Sequence, residues 1–274
     1  MFAPMNPPIR DWRDQRVWIV GASSGIGAAL ARALLTAGAR VALSARREQA
    51  LAEVAGAASH PDHAMTVPLD VTDPASVAAA HERIVERWSS VDLTIWVAGT
   101  YEAMHPHDFR LSAARAVIET NLSIYNGLAV LLPAMRREGR GSLAIVSSVT
   151  GYRGLPTVAM AYGPTKAALV SLAETLYLDL RPHGHGIYLI NPGFVETRLT
   201  SGNAFPMPGL LDADEAARRI LAGFARGDFE IHFPSRLTWP MKFARVLPYR
   251  WYFALIGRFT GSAHAERAPK KEAP

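Results

Sequence analysis

The chain has 274 residues, 49% of them hydrophobic, and no cysteine. That length buries a substantial core within one domain, and the lack of cysteine excludes disulfides, thiolate metal sites and cysteine nucleophiles. The formal net charge of +5 is local: between Ile231 and Ala265 lie Arg236, Lys242, Arg245, Arg250 and Arg258 with no Asp or Glu, and the remainder carries 24 basic and 24 acidic residues, so the charge marks one basic segment and gives no ground for a nucleic-acid binder.

Met1 to Arg16 mix Pro, Arg and Asp without an apolar run, unlike a secretory leader. No stretch matches a charge-free membrane span, so a reducing, cytoplasmic setting is expected. Residues 1–15 read as an irregular segment. Val17-Trp18-Ile19-Val20 reads as a strand, followed by a helix through Ala28–Leu35 that stops at Gly38. Val41-Ala42-Leu43 is the next strand, with a helix from Glu48 to about Ala55. Met65 to Leu69 is a third strand, with a helix from Pro74 to Trp88. Leu93 to Val97, Leu143 to Val146 and Ile187 to Ile190 follow as strands, with long helices expected at about Ala113–Met135 and Tyr162–Leu180. Phe229 to Phe233 adds a candidate edge strand. Strands alternating with helices predict an α/β fold, a doubly wound parallel sheet of about seven strands in a single domain.

The first strand runs into Gly21-Ala22-Ser23-Ser24-Gly25-Ile26-Gly27 and then a helix. Glycines permit a tight turn and let a pyrophosphate approach the helix N-terminus, where free amides and the dipole favour anions. The spacing is GxxxGxG, not the GxGxxG of most dinucleotide folds. Tyr162 and Lys166 lie four apart on a helix and project from one face. A cation beside a phenol favours the phenolate and brings the hydroxyl nearer to proton transfer at neutral pH. Pro164 suits the first turn of that helix.

These motifs together resemble the short-chain dehydrogenase/reductase family over about Arg16 to Thr200, and the resemblance implies a Rossmann-type domain over 16–233. Asp70, followed by Val71, stands where the family's acid contacts the adenine, and Ala98-Gly99 closes the fourth strand. Asn121 matches the helix asparagine of the catalytic tetrad, and Ser148 the serine, with Ser147 as the alternative. Asn191-Pro192-Gly193-Phe194-Val195-Glu196-Thr197 is similar to the segment that positions nicotinamide, through Pro192, Gly193, Val195 and Thr197. Two departures stand out. Trp96-Val97-Ala98-Gly99 replaces the usual Asn-Asn-Ala-Gly, and Ser148 precedes Tyr162 by fourteen residues, one more than the family spacing.

An acid at the end of the second strand would accept from a ribose 2′-hydroxyl and repel a 2′-phosphate. This chain has Ser44-Ala45-Arg46-Arg47 there, and guanidinium groups engage phosphate. Arg46, helped by Arg47 and Ser23, therefore predicts NADP(H) over NAD(H). By the resemblance, Tyr162 is the acid-base residue, Ser148 holds the carbonyl oxygen, Lys166 lowers the tyrosine pKa and holds the nicotinamide ribose, and Asn121 supports a water path. No metal is expected.

Tyr152, Leu155, Met160, Phe194, Leu199, Phe205 and Met207 are the expected substrate-side residues, mostly apolar, favouring an apolar or lipid-like carbonyl compound. Residues 234–261 interleave aromatics with the basic residues, and Pro234, Pro240 and Pro248 are expected to break them into short pieces. This extension reads as a cap over the cleft, a subunit contact or a peripheral membrane contact. Residues 262–274 read as a disordered tail, and a homodimer or homotetramer is expected. The alternative to an enzyme is a non-catalytic NADP(H)-binding redox sensor or membrane scaffold.

Overall fold

A computed structural model describes residues 3–56, 58, 60–156, 160–200 and 207–260. The strands are β1 (Arg16–Val20), β2 (Arg40–Ser44), β3 (Ala64–Thr66), β4 (Leu93–Trp96), β5 (Ser142–Val146), β6 (Gly186–Pro192) and β7 (Glu230–Phe233). They form one sheet in the order β3-β2-β1-β4-β5-β6-β7, every neighbouring pair parallel. The helices are α1 (Gly25–Thr36), α2 (Glu48–Ala55), α3 (Pro74–Trp88), α4 (Leu111–Asn121), α5 (Ile124–Glu138), α6 (Tyr162–Leu180), α7 (Ala213–Arg226), α8 (Ser235–Arg245) and α9 (Tyr249–Thr260).

The strands are nearly continuous apolar runs because helices cover both faces of the sheet. Alternate residues of each strand enter opposite cores. Val17, Ile19, Val41 and Leu43 pack with Leu30 and Leu34 of α1 and Ile220 and Phe224 of α7. Trp18, Val20, Leu143 and Ile145 pack with Ile84 of α3, Leu128 of α5 and Leu169 of α6. The strand order reverses between β1 and β4, and at such a switch point the carboxyl ends of the strands open a crevice.

Two expectations need correction. The single helix over Ala113–Met135 is two helices, α4 and α5, with the chain turning at Leu122-Ser123. Asn121 is fully buried and spends its side chain on Thr100 N (2.7 Å) and Thr165 Oγ1 (2.9 Å), which pins the end of α4 away from the line of α5. In the C-terminal extension Pro240 lies inside α8 and does not break it, while Pro234 caps that helix and Pro248 precedes α9. Pro240 is exposed, so the carbonyl it leaves without an N–H partner lies in reach of water.

Candidate active site

The crevice is a cleft of about 690 Å³ at the carboxyl edge of the sheet. Its floor is the turn after β1. Gly21 has φ +100°, and a Cβ there would lie 2.7 Å from Ala98 N. A Cβ on Gly27 would lie 2.1 Å from the Gly21 carbonyl, so Gly27 supports the turn from beneath and stands outside the cleft lining. Ser24 stands at the N-cap position of α1 without a side-chain hydrogen bond to it, and the first turn carries no acidic side chain. Gly21, Ser23, Ser24, Gly25 and Ile26 line the cleft. A narrow cradle of bare backbone ending in a helix N-terminus fits the pyrophosphate of a dinucleotide.

At the end of β2, Arg46 and Arg47 line the same cleft, and Arg47 Nη2 lies 3.3 Å from Ser23 Oγ. Asp70 and Val71 lie beyond β3. Asp70 accepts from the backbone and hydroxyl of Thr72, which hold its carboxyl below the usual carboxylate range against the cost of burial. Val97, Ala98 and Gly99 form the wall after β4, and Trp96 is buried beneath them. Pro192, Gly193, Val195 and Thr197 face them from the end of β6.

α6 starts at Tyr162, which keeps part of its surface toward the cleft, and Lys166 lies a turn later with 3% of its surface exposed. Lys166 Nζ donates to the Val146 carbonyl at 3.0 Å and lies 5.5 Å from the centre of the Tyr162 ring. Ser148 opens the short turn Val149–Gly151, accepts from Thr150 N, and lies beside Tyr162, where it opposes the rise of the phenol pKa. Ser147, the alternative, donates to the Lys166 carbonyl at 2.7 Å and so fastens α6 to β5. Asn121 sits behind this group, outside the cleft lining, and α4 stops at it.

Burial dominates the electrostatics of this pair. Burial pushes Tyr162 up to about 12, with Ser148 opposing, and pushes Lys166 down to about 8. Packing of α6 on the sheet removes much of the water that would favour the charged form of each side chain.

Of the expected substrate-side residues, Leu199 lines the cleft. Tyr152 does not: it is buried and its hydroxyl donates to Glu230 Oε1, so its role as a substrate contact is corrected. Leu155, Met160, Phe194 and Met207 also fall outside the lining, Met160 being exposed. Phe205 lies outside the described residues. Sequence reasoning missed Tyr101, whose ring meets that of Tyr162 edge-on at 5.4 Å and whose buried hydroxyl has no partner among the described residues. The only signal was its place two residues after Ala98-Gly99.

A doubly wound parallel sheet with a glycine cradle at its switch point, and a tyrosine, lysine and serine gathered beside it, defines a dinucleotide-dependent oxidoreductase. Comparison with known proteins narrows this. The family model for short chain dehydrogenase matches residues 15–204. An uncharacterized oxidoreductase from Myxococcus xanthus is 37% identical over 84% of this chain and 91% of its own. A protein named 11-beta-hydroxysteroid dehydrogenase A, from Arachis hypogaea, is 32% identical over 88% of this chain and 74% of its own. Among solved structures, a short-chain dehydrogenase from Streptomyces avermitilis superposes with a TM-score of 0.76 at 25% identity, covering 91% of this chain and 99% of its own. The chain belongs to the short chain dehydrogenase family, and its chemistry is NAD(P)-dependent interconversion of carbonyl and alcohol.

Proposed function

We propose that the protein is an NADP(H)-dependent reductase or dehydrogenase of an apolar, lipid-like carbonyl or alcohol, with Tyr162 as its acid-base residue. The observation that carries this reading is one continuous cleft with Tyr162, Ser148 and Lys166 at one end and Arg46 and Arg47 at the other, with no acidic residue between Ser44 and Arg47. Two guanidinium groups in the lining, that of Arg47 beside the Ser23 hydroxyl, suit a 2′-phosphate and offer a plain ribose no carboxylate. Leu199 and the likeness to a plant protein named for a hydroxysteroid support the apolar substrate.

Bound NADPH supplies the hydride. Ser148 and Tyr162, which line the same end of the cleft, both reach a carbonyl oxygen placed before them, and the phenol donates its proton to that oxygen. Burial suits this direction, since a phenol held at about 12 is fully protonated at neutral pH. The Lys166 ammonium then stabilises the phenolate, and Asn121 behind it supports the path of waters that brings a proton back from solvent.

Two variants test the reading. Tyr162→Phe is expected to lower turnover by about 10²–10⁴-fold with cofactor affinity retained. Unchanged turnover of a substrate found by an NADPH-consumption screen would overturn it, and a biological role that survives in this variant would favour a non-catalytic sensor. Arg46→Ala combined with Arg47→Ala is expected to weaken NADPH but not NADH.

A further inference from the structure

Much of the large apolar side-chain surface of α8 and α9 is turned outward. Trp239, Phe243, Val246, Tyr249, Trp251 and Phe253 are between 61% and 74% exposed. Trp239, Phe243 and Val246 recur at i, i+4 and i+7, a single stripe opposite the buried Thr238 and Ala244. Tyr249 stacks on Phe253 at 5.6 Å and continues the surface onto α9. Soluble monomers rarely leave contiguous apolar surface of this kind uncovered.

The exposure does not come from a loosely attached helix. Arg153 donates to the carbonyls of Ala244 (2.7 Å) and Leu247 (2.6 Å), and its guanidinium lies over the Tyr252 ring at 4.0 Å. The Tyr252 hydroxyl donates to the Gly154 carbonyl. The inner sides of both helices are thus already occupied, and among the described residues none of either helix lines the cleft.

Charge selects the occupant. Lys242 is paired with Glu230 and Arg245 with Glu174, while Arg236, Arg250 and Arg258 form no ion pair among the described residues. No Asp or Glu lies between Ile231 and Ala265. A second copy docking through the same face would oppose like charges with no acid in the segment to relieve them. An anionic bilayer complements both features, taking aromatic rings at headgroup depth and arginines against phosphates and carboxylates. No described helix is long and apolar enough to cross a membrane, so the contact is peripheral. We propose that the outer face of α8–α9 docks the protein on anionic lipid surfaces.

The test uses the full chain in sedimentation with vesicles of phosphatidylcholine alone or mixed with phosphatidylserine, with tryptophan emission as a second readout. Binding is expected to the mixed vesicles, with a blue shift, and to weaken as salt is raised. Arg236→Ser, Arg250→Ser and Arg258→Ser combined should weaken it on the order of a hundredfold, at about fivefold per charge. Trp239→Ser, Phe243→Ser and Trp251→Ser combined should abolish both binding and blue shift. These side chains are exposed, so thermal melts of both variants should match the parent. The proposal is overturned by no binding to mixed vesicles at low salt, by equal binding to neutral vesicles, or by a self-association that the aromatic variant dissolves, which would assign the face to a second copy.

Discussion

Lys166 and Tyr162 leave water together when α6 packs on the sheet, and each loses solvation that favours its charged form. For Lys166, lowered to about 8 by burial, the folded chain binds fewer protons than the unfolded one between about pH 8 and its ordinary value of 10.5. Stability therefore rises with pH across that window, because a penalty present in full below pH 8 is relieved. For Tyr162, raised to about 12, the sign is opposite, and stability is lost from pH 10 toward 12. At neutral pH the buried ammonium costs roughly 3 kcal/mol. Its hydrogen bond to Val146 returns about 1 kcal/mol. Lys166→Met is therefore expected to raise stability by about 1–2 kcal/mol at pH 7, a gain of a few degrees in melting temperature, and to lower turnover at least about a hundredfold. Melts at pH 7 and pH 10 check the cause: the gain must shrink at the higher pH, where wild-type Lys166 has shed its proton.

Behind the cleft, Glu230 of β7 ties three elements together. It accepts from the Tyr152 hydroxyl and from Asn191 Nδ2 at 2.8 Å, and its other oxygen accepts from Lys242 Nζ of α8 at 2.7 Å. Burial alone would raise its pKa, but the hydrogen bonds from Lys242, Tyr152 and Asn191 outweigh that and hold it below the usual range. Stability from this carboxylate is thus present at neutral pH and lost as pH falls through its folded pKa. Glu230→Gln should cost about 1–3 kcal/mol at pH 7 and little at acid pH. Because Asn191 leads into Pro192 and Gly193 of the cleft, cofactor affinity should fall with stability, measurable by titrating the bound cofactor. Such ties explain what the sequence hid. The strands were legible because long apolar runs buried on both faces leave an unmistakable pattern, and the tyrosine, lysine and glycine motifs because their chemistry depends on short spacings. The turn at Leu122-Ser123 was not, since both residues tolerate a helix and its cause is Asn121 reaching Thr100 and Thr165. Tyr152 looked like an apolar loop residue because its partner Glu230 is 78 residues away.

Taken as one molecule, the sheet makes cofactor binding a property of the entire fold. The cleft is built from the carboxyl ends of β1, β2, β4, β5 and β6 with the starts of α1 and α6, so a ligand that fits it bonds segments that separate only on unfolding. Ligand that binds the folded chain alone stabilises it by about 2.7 kcal/mol at a hundred times its Kd. For a chain of this size that is a rise of roughly 5–10 °C in melting temperature. Equal concentrations of NADPH and NADH then read selectivity without any known substrate. If Arg46 and Arg47 engage a 2′-phosphate, NADPH should give the larger rise, and the excess should fall with salt, as expected of exposed charges. Arg46→Ala with Arg47→Ala should leave the NADH shift intact and bring the NADPH shift down to meet it. An NADPH shift that persists in the double variant would move selectivity elsewhere in the cleft, where Arg198 is another cation in its lining. Equal shifts in the parent would show that these arginines do not select between the cofactors.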